Sequence, residues 1–311
     1  MNARTETKAQ VDAARGSVLA IAANDRATFL VTGEDRVSWL NGLVTCDLAK
    51  KRAGDAAYGL VVGRTGRILA DVFAVIDDVR VLLAVPAGAA ETIRQHFEHY
   101  LVMEDAELGR RTDGFAIWFL HGPRSGDVLA AARGAGGSGG MLDQTGLDGA
   151  IVFASTEYGG DVRNAVERSV SGARGAIGDA EGWEALRLER AVAKFGADFD
   201  DKLYPQEASL EKIAVSFNKG CYLGQEVVCM LELRGHVKRR LSALVIDGPQ
   251  PEAGAIVTDA AGAPVGELSS AAWSPTLGRP VALAILKRSH AEPGSVISVD
   301  GSPARVVDRP A

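Results

Sequence analysis

The chain has 311 residues, of which 47% are hydrophobic and 24% are charged, and its formal net charge at pH 7 is −6. This composition is typical of a globular protein with room for two domains, or for three small ones. The negative net charge argues against a nucleic-acid surface spread over the whole protein, so any anion site must be a local basic cluster.

The number and spacing of the cysteines indicate the redox state of the compartment and whether a metal site is expected. Cys46, Cys221 and Cys229 are too few and too irregularly spaced for a disulfide framework or a zinc site. They indicate a reducing compartment, and no metal site is predicted. No apolar stretch reaches the roughly 18 uncharged residues that a membrane helix needs, and the N-terminus lacks a signal-peptide pattern. We therefore expect a cytoplasmic protein with no membrane partner, in which residues 1–16 form a disordered lead.

The first predicted unit spans residues 17–112 and contains an apolar hairpin. Asp71 is the one carboxylate in the second strand of that hairpin. It either faces solvent or is buried with partners, and alternation alone favours the solvent-facing position. The predicted elements of this unit are, in order, strand 27–33, helix 34–43, strand 57–63, turn 64–67, strand 68–76, strand 79–85 and helix 86–100.

The second predicted unit, residues 113–232, repeats the order of strand, glycine turn and helix. We interpret this as a duplication, although no residue-level repeat is visible. The glycine-rich run at 134–140 lacks the Gly-Lys-Ser/Thr sequence of a phosphate cradle and predicts a flexible surface loop. The polar segment 198–208 is a candidate site loop. Within it, Glu207 is typical of a first-turn acid for a helix at 208–213.

One stretch, residues 218–228 with the sequence NKGCYLGQEVV, mixes residue types that core packing does not require. Its two glycines allow positive φ, so it predicts a tight turn leading into a helix that begins near Leu223. The thiol of Cys221 would there lie near unpaired N–H groups and Lys219, which favour a thiolate. The alternative is a buried cysteine that acts as a small hydrophobe.

The run Lys219-Gly220-Cys221-Tyr222, followed after one residue by Gly224-Gln225-Glu226, resembles the signature of the YgfZ family of folate-binding proteins. These proteins are relatives of the glycine-cleavage T-protein, an aminomethyltransferase. The hairpin is also similar to the T-protein hairpin that carries an acidic catalytic residue near the folate, and Asp71 falls at that place. T-proteins usually have two adjacent acids there, whereas this chain has Ala70 first. This difference and the Cys-Tyr pair, which T-proteins lack, favour the YgfZ branch.

The resemblance implies tetrahydrofolate, or another folate form, as the ligand. The segment 198–208 resembles the T-protein loop whose glutamate, two residues after a proline, holds the pterin ring, and Glu207 fits that pattern. One carboxylate can accept hydrogen bonds from the ring N–H and from the exocyclic amine together. The resemblance further assigns Lys219 and Tyr222 to the cofactor site, and Cys221 and Asp71 to catalysis.

The only dense basic cluster of the chain, residues 233–241, contains Arg234, Lys238 and Arg239. Its spacing resembles the Arg-Gly and Lys-Arg run that follows the signature in YgfZ-type proteins. The resemblance implies that these side chains bind the carboxylated glutamate tail of folate, a role suited to fork-shaped guanidinium groups. An exposed linker and an RNA phosphate contact are the alternatives.

The rest of the chain, from residue 241 to 310, is a run of short apolar segments separated by glycine and proline turns. Their spacing is typical of a small antiparallel barrel. The predicted fold class is therefore α+β, with a duplicated folate-binding module of the T-protein type followed by a small antiparallel β-barrel. The expected domains are 17–232, with halves at about 17–112 and 113–232, and the barrel at 233–311.

The function implied by the resemblance is that of a tetrahydrofolate-binding protein that supports assembly or repair of iron–sulphur clusters. Its expected partners are folate and the client enzymes or assembly factors, including a tRNA-modifying enzyme, with tRNA itself only an indirect partner. The alternative is a folate-dependent aminomethyltransferase of the glycine-cleavage type, which would need Asp71 to handle a proton. Only the aminomethyltransferase would release ammonia from a lipoyl-bound substrate.

Overall fold

The computed structural model describes residues 3–110, 115–235 and 237–311. None of the helices in these ranges is long and apolar enough to cross a membrane. The elements up to residue 110 are α1 (Ala3–Gly16), β1 (Leu19–Ala22), β2 (Arg26–Thr32), α2 (Arg36–Asn41), β3 (Ala56–Val62), β4 (Ile68–Ile76), β5 (Val81–Pro86), a short 3-10 turn (Ala87–Ala89), α3 (Ala90–His99) and β6 (Glu107–Arg110).

The middle of the chain alternates short strands with helices. Its elements are β7 (Phe115–His121), α4 (Ser125–Gly134), β8 (Ser138–Met141), β9 (Gly149–Ser155), α5 (Gly159–Gly172), β10 (Ala176–Ile177), α6 (Ala180–Glu189), α7 (Glu211–Ala214) and α8 (Gln225–Arg234). The C-terminal part contains only strands and one 3-10 turn. These are β11 (Arg239–Ile246), β12 (Ile256–Thr258), β13 (Pro264–Ser274), β14 (Arg279–Lys287), the turn at Arg288–His290, β15 (Val296–Val299) and β16 (Ser302–Val307).

The first sheet has five antiparallel strands in the order β3-β4-β5-β2-β6. The predicted hairpin is confirmed, and β4 has the bounds that the sequence predicts. Val72 and Ala74 of β4 lie in the core under α2 and α3, whereas Phe73 and Val75 pack against the second sheet. Both faces of β4 are therefore buried, which explains its nearly continuous apolar sequence.

The second sheet has the order β10-β1-β7-β9-β8, and α4 and α5 cover its outer face. Its β1 strand comes from the first half of the chain and pairs antiparallel with β7 and parallel with β10. The predicted halves are therefore wrong in this respect, because residues 19–22 complete the sheet of the other half. The predicted boundary at 112 and 113 lies outside the described residues.

The predicted disordered lead is also wrong, because Ala3–Gly16 form α1. Val11 and Ala14 are fully buried in a cluster with Ala185 and Leu186 of α6. Gln10 ties the helix down further, since its Nε2 donates to Asp179 at 2.9 Å. The helix is stabilised by this distant contact and not by its own sparse apolar pattern.

The glycine-rich run at 134–140 is not the surface loop that the sequence predicts, because its second half begins β8. Gly139 and Gly140 are buried, and a Cβ at Gly140 would lie 2.6 Å from the backbone nitrogen of Ala56. The glycines allow the two backbones to approach each other closely.

The C-terminal strands form a closed six-stranded antiparallel barrel in the order β11-β14-β13-β12-β15-β16, as predicted. Its β11 begins at Arg239, shortly after the predicted boundary at 233. Leu188 of α6 is buried among barrel residues that include Leu241 and Leu283. The barrel therefore packs directly on the α+β module.

Candidate functional site

A cavity of about 960 Å³ lies where the two sheets and the barrel meet. Tyr58 of β3, Met141 of β8 and Arg240 of β11 each contribute to its wall, together with the segment 208–213. Ligand sites in proteins are usually concave spaces of about 300 to 1,000 Å³, often between domains. We call this space the central cavity and regard it as the candidate site.

Glu211, the first residue of α7, supplies a buried carboxylate to the wall of the central cavity. Its Oε1 accepts a hydrogen bond of 2.6 Å from Nη2 of Arg240, which also lines the cavity. Its Oε2 is buried and has no hydrogen-bond partner within the described part of the chain. This oxygen is enclosed by protein atoms, so the ion pair with Arg240 is what Glu211 contributes at the cavity wall.

Gln206 is a second buried polar residue of the same wall. Its Nε2 donates to the carbonyl oxygen of Val228 in α8 at 2.9 Å, and this bond fixes the orientation of the amide. The amide Oε1 is buried and has no partner among the described residues. Gln206 thus connects the helix after the 218–228 stretch to the central cavity.

Arg190 and Arg309 also line the central cavity. Burial lowers the pKa of Arg190, and the nearby positive charges of Arg309 and Arg15 lower it further. Asp143 and Asp308 line the cavity too, and Asp143 acts in the opposite direction on Arg190, so this part of the wall carries charges of both signs.

Asp71 is buried, whereas the alternation of the strand favours a solvent-facing position. Its carboxylate accepts two hydrogen bonds from Arg26, of 2.6 and 3.1 Å. The hydroxyl of Tyr58 also donates to Asp71, and burial with the adjacent carboxylate raises the pKa of Tyr58 well above its usual value. Asp71 is not among the described residues that line the central cavity, and its hydrogen bond with Tyr58 connects it to the cavity wall.

Glu207 is buried as well, but both of its carboxylate oxygens have partners. Oε1 accepts from Nε of Arg239 at 3.1 Å, and Oε2 accepts from the backbone N–H of Tyr204 at 3.2 Å. Glu207 is not part of the cavity wall. The structure therefore joins two predicted site residues, Glu207 and Arg239, in an ion pair away from the central cavity.

The 218–228 stretch forms the predicted turn and helix, although α8 begins at Gln225. Cys221 is exposed and lies four residues before α8, so it does not occupy the first helical turn. Tyr222 is buried, and its hydroxyl has no partner among the described residues. These side chains do not line the central cavity.

Lys219 is bound by backbone carbonyl oxygens. Its ammonium group donates to the carbonyl oxygens of Asn41, Val44 and Cys46 at 2.6, 2.8 and 2.6 Å. Burial lowers the pKa of Lys219 to about 8, so the amine remains mostly charged at neutral pH. The side chain therefore fixes the 41–46 segment against the turn before α8.

The basic side chains of the 233–241 cluster lie in different environments in the structure. Arg234 ends α8 on the exposed surface, where a positive charge is favourable near the carboxyl end of a helix. Lys238 is exposed too, and neither side chain lines the central cavity. Among the described basic residues of the cluster, the one that lines the cavity is Arg240, which the sequence did not single out.

Sequence reasoning therefore missed Glu211, Gln206 and Arg240. The signal for Glu211 was a charged residue between the apolar Leu210 and Ile213, and Gln206 lies in the predicted loop beside Glu207. The sequence does not show in which direction each of these side chains points.

Comparisons with known proteins agree with this architecture. A family model described as the GCVT N-terminal domain matches residues 2–136, and one described as the glycine cleavage T-protein C-terminal barrel domain matches residues 239–311. A curated aminomethyltransferase from Streptomyces coelicolor is 27% identical over 288 residues, which cover 85% of this chain and 77% of that protein. One from Thermotoga maritima is 26% identical over 307 residues, covering 90% and 81%.

The solved structure of the glycine cleavage system aminomethyltransferase T from Bartonella henselae has the same fold. It superposes with a TM-score of 0.82 at 20% identity and covers 98% of this chain and 89% of that one.

These comparisons correct the function that the sequence first implied. The prediction of a protein that supports iron–sulphur cluster assembly is wrong, because the matching curated relatives are named aminomethyltransferase. The comparisons also give no support to iron–sulphur client enzymes or tRNA as partners. They favour the alternative that the sequence left open. With both family models matched and the fold shared, the chain carries the N-terminal domain and the C-terminal barrel domain of the GCVT family.

Proposed function

We propose that this protein is a tetrahydrofolate-dependent aminomethyltransferase. It transfers the one-carbon unit of a thiol-bound aminomethyl group to the folate and releases ammonia. The observation that carries the proposal is the match of both domains to one family, with a large cavity between the three parts of the fold. The family assignment is consistent with the folate ligand expected from the sequence.

The residues of the central cavity fit a folate in size and chemistry. The wall includes the ring of Tyr58, the acid Glu211 and the guanidinium groups of Arg240 and Arg309, residue types that can stack on, accept from and donate to a folate. Tetrahydrofolate would supply the nitrogen atoms that take up the one-carbon unit. The protein itself would bind and orient the ring and exclude water from it.

Asp71 has a positioning role in this proposal. Because the pKa of Tyr58 is raised, its phenol stays protonated at neutral pH and donates to the Asp71 carboxylate. Arg26 holds the other side of that carboxylate. The ring of Tyr58 is thereby fixed in the cavity wall, and Asp71 acts on a ligand through it.

The direct test is ammonia release from an aminomethylated lipoyl carrier, with and without tetrahydrofolate. We expect release that depends on both the protein and the folate. Titration calorimetry of tetrahydrofolate into the protein should show micromolar-range binding. If ammonia forms no faster with the protein than with the carrier and folate alone, the proposed activity is wrong.

The 218–228 signature and Ala70 group the chain with the YgfZ branch of the GCVT family. We propose this branch for its descent only, because the activity proposed here is that of an aminomethyltransferase. The catalytic role of Cys221 and the cytoplasmic location stay predictions. For the thiol, Cys221→Ser is the test. Full ammonia release by this variant would remove Cys221 from the reaction.

A further inference from the structure

Three backbone carbonyl oxygens in the segment 41–46 surround the ammonium group of Lys219. Asn41, Val44 and Cys46 each accept a hydrogen bond from Nζ, at 2.6, 2.8 and 2.6 Å. A lysine ammonium has three N–H donors, and here each of them has its own carbonyl acceptor. The acceptors lie at least 173 positions from the lysine in the chain. We call these three oxygens the carbonyl cage.

The positive charge in the carbonyl cage is balanced by dipoles. Among the described residues no carboxylate forms an ion pair with Lys219, and Asp47 of the neighbouring chain segment pairs with Lys50 instead, at 2.8 Å. The ring of Tyr222 lies 5.3 Å from Nζ and adds a cation–π contact. Carbonyl oxygens that replace a hydration shell are the ligands with which proteins bind monovalent cations such as potassium. The carbonyl cage therefore has the chemistry of a monovalent-cation site.

The lysine bonds belong to a larger contact between the 41–46 segment and the stretch before α8. The backbone N–H of Leu223 donates to the carbonyl oxygen of Gly42 at 3.0 Å. The backbone N–H of Ser216 donates to the carbonyl oxygen of Thr45 at 2.9 Å. Within this contact, Lys219 supplies the bonds that carry a charge, and such bonds are stronger than those between neutral groups.

The segment that carries the carbonyl cage continues into the wall of the central cavity. Cys46 and Asp47 line the cavity, whereas Lys219 does not. Cys46 is only 7% exposed, and its own carbonyl oxygen is one of the three in the cage. A change at the ammonium is therefore transmitted directly to the cavity wall.

We propose that the carbonyl cage is a monovalent-cation site, which the ammonium group of Lys219 occupies as a tethered cation. The occupied site positions the part of the cavity wall that Cys46 and Asp47 form. Lys219 is thereby a positioning residue and not the cofactor contact that the resemblance implies. The site itself does not depend on the proposed function, and only its effect on folate binding rests on that function.

The test removes the tethered cation and offers a free one. Lys219→Ala leaves the carbonyl cage without its ammonium. Lys50→Ala is the matched control, because Lys50 lies close to the cage in the chain but is 72% exposed and pairs with Asp47. Each protein is compared in ammonium chloride and in tetramethylammonium chloride at equal ionic strength.

The readout is the alkylation of Cys46 by iodoacetamide, followed by peptide mass spectrometry. Its rate in the native protein, divided by the rate in urea-unfolded protein, measures how often the segment opens. In tetramethylammonium chloride we expect Cys46 to react at least about tenfold faster in Lys219→Ala than in wild type, since three charge-assisted hydrogen bonds are lost. Ammonium has the N–H donors of the lost group and should restore most of the protection, whereas tetramethylammonium has none. Lys50→Ala should match the wild type in both salts.

Titration calorimetry tests the positioning role. We expect Lys219→Ala to bind tetrahydrofolate about tenfold more weakly than wild type in tetramethylammonium chloride, and to recover in ammonium chloride. Unchanged affinity in a variant whose Cys46 has become reactive overturns the positioning role. If the wild type does not bind tetrahydrofolate, the proposed function fails, while the alkylation rates still decide the cation site.

Equal alkylation of Cys46 in wild type and Lys219→Ala, or equal rates for the variant in the two salts, overturns the cation site. The wild type supplies a further test that needs no variant to fold. Competitive acetylation should modify Lys219 at least about tenfold more slowly than Lys202, whose side chain is 79% exposed, because the caged ammonium must first break its hydrogen bonds. Equal acetylation of the two lysines also overturns the proposal.

Discussion

The buried carboxylate of Asp71 is stabilised by an ion pair with Arg26. Asp71 is 2% exposed and shares two hydrogen bonds with Arg26, which is itself nearly enclosed and stacks over the ring of Phe73 at 4.9 Å. A buried ion pair contributes little net stability over an apolar pair, but the loss of one partner leaves an uncompensated charge. Asp71 therefore has a structural role that any kinetic experiment must take into account.

Asp71→Asn should lower the free energy of unfolding by about 3 kcal/mol, because it leaves the Arg26 guanidinium buried without a counter-charge. Urea denaturation of wild type and variant measures this. Asp127→Asn is the control, since its pair with Arg124 is exposed and should contribute less than about 1 kcal/mol. An Asp71→Asn protein as stable as the control would mean that Arg26 finds another partner.

His121 is the residue from which we expect a pH effect on stability. It is 1% exposed, stacks on Trp183 at 4.6 Å, and neither ring nitrogen has a partner among the described residues. Burial lowers its pKa to about 4. The ordinary pKa of histidine is about 6.5. At a pH between about 4 and 6.5, His121 therefore takes up a proton in the unfolded chain but not in the folded protein.

Stability should therefore fall as the pH drops from about 6.5 to 4, with up to about 3 kcal/mol due to His121. In His121→Phe, which keeps the stacked ring and cannot titrate, this part of the slope should disappear. Denaturant unfolding at pH 7, 6 and 5 measures both slopes. Equal slopes in the two proteins would show that other groups cause the acid sensitivity.

The sequence identifies Asp71 and Glu207 as unusual residues, but it does not show which way they face. An acid in an apolar strand is conspicuous because its burial needs a partner, and Arg26 lies 45 positions away in the chain. Glu207 and Glu211 pair in the same way with two consecutive arginines of β11. No pattern in the sequence encodes these pairs, because the arginines lie 32 and 29 positions further on.

At the scale of elements, α8 is held against the hairpin of β3 and β4 by close backbone contact. Gly224, just before α8, has a φ of +78°, and a Cβ there would lie 2.4 Å from the carbonyl oxygen of Gly63. Val227 of α8 packs on Gly66 in the hairpin turn. The glycines of the 218–228 stretch are thus explained in part by this docking.

Gly224→Ala should lower the free energy of unfolding by about 2 kcal/mol or more, since it adds a steric clash to the cost of a left-handed alanine. Gly235→Ala, at the other end of α8, is the matched control. Its φ is +62° but the space around it is open, so only the backbone cost of about 1 kcal/mol applies. Thermal unfolding compares the two variants, and equal losses would mean that α8 shifts to relieve the contact.

Elements defined by local pattern were predictable, and those defined by distant partners were not. The strand at 68–76 and the turn before it follow from apolar residues and glycine alone. By contrast, α1 has one large apolar side chain, Val11, and is stabilised by α6, which lies more than 160 residues further on. The strand β8 is formed largely of small residues because the backbone of Ala56 comes close to it, a contact that no local pattern predicts.

At the scale of the whole molecule, α6 connects the α+β module to the barrel. Arg187 of α6 is 1% exposed and donates to Asp198 at 2.7 Å and to Ser270 of β13 at 2.8 Å. Glu189, fully buried, accepts from Ser274 and Thr276 in the same part of the barrel. The bonds to Ser270, Ser274 and Thr276 cross the interface between the module and the barrel.

Arg187→Met should leave Asp198 buried without its counter-charge and lower stability by about 3 kcal/mol. Because the lost bond to Ser270 joins the two parts, we expect calorimetry to show the barrel unfolding separately from the module. Arg163→Met on the surface of α5 is the control and should melt as wild type does. A variant that still unfolds in one unchanged transition would show that apolar packing around Leu188 suffices to hold the barrel.

The crossing of β1 into the second sheet has a consequence for synthesis on the ribosome. Leu19–Ala22 leave the exit tunnel early, but their partners in β7 and β10 extend to Ile177. At typical bacterial elongation rates this is a wait on the order of ten seconds. During that time the apolar segment at 18–21 and the buried side of α1 have no partner, while the sheet of β2 to β6 can already assemble. The segment 3–22 is therefore where we expect a chaperone to bind first, and a circular permutant that begins at Arg26 and carries residues 3–22 at its end would avoid this exposure.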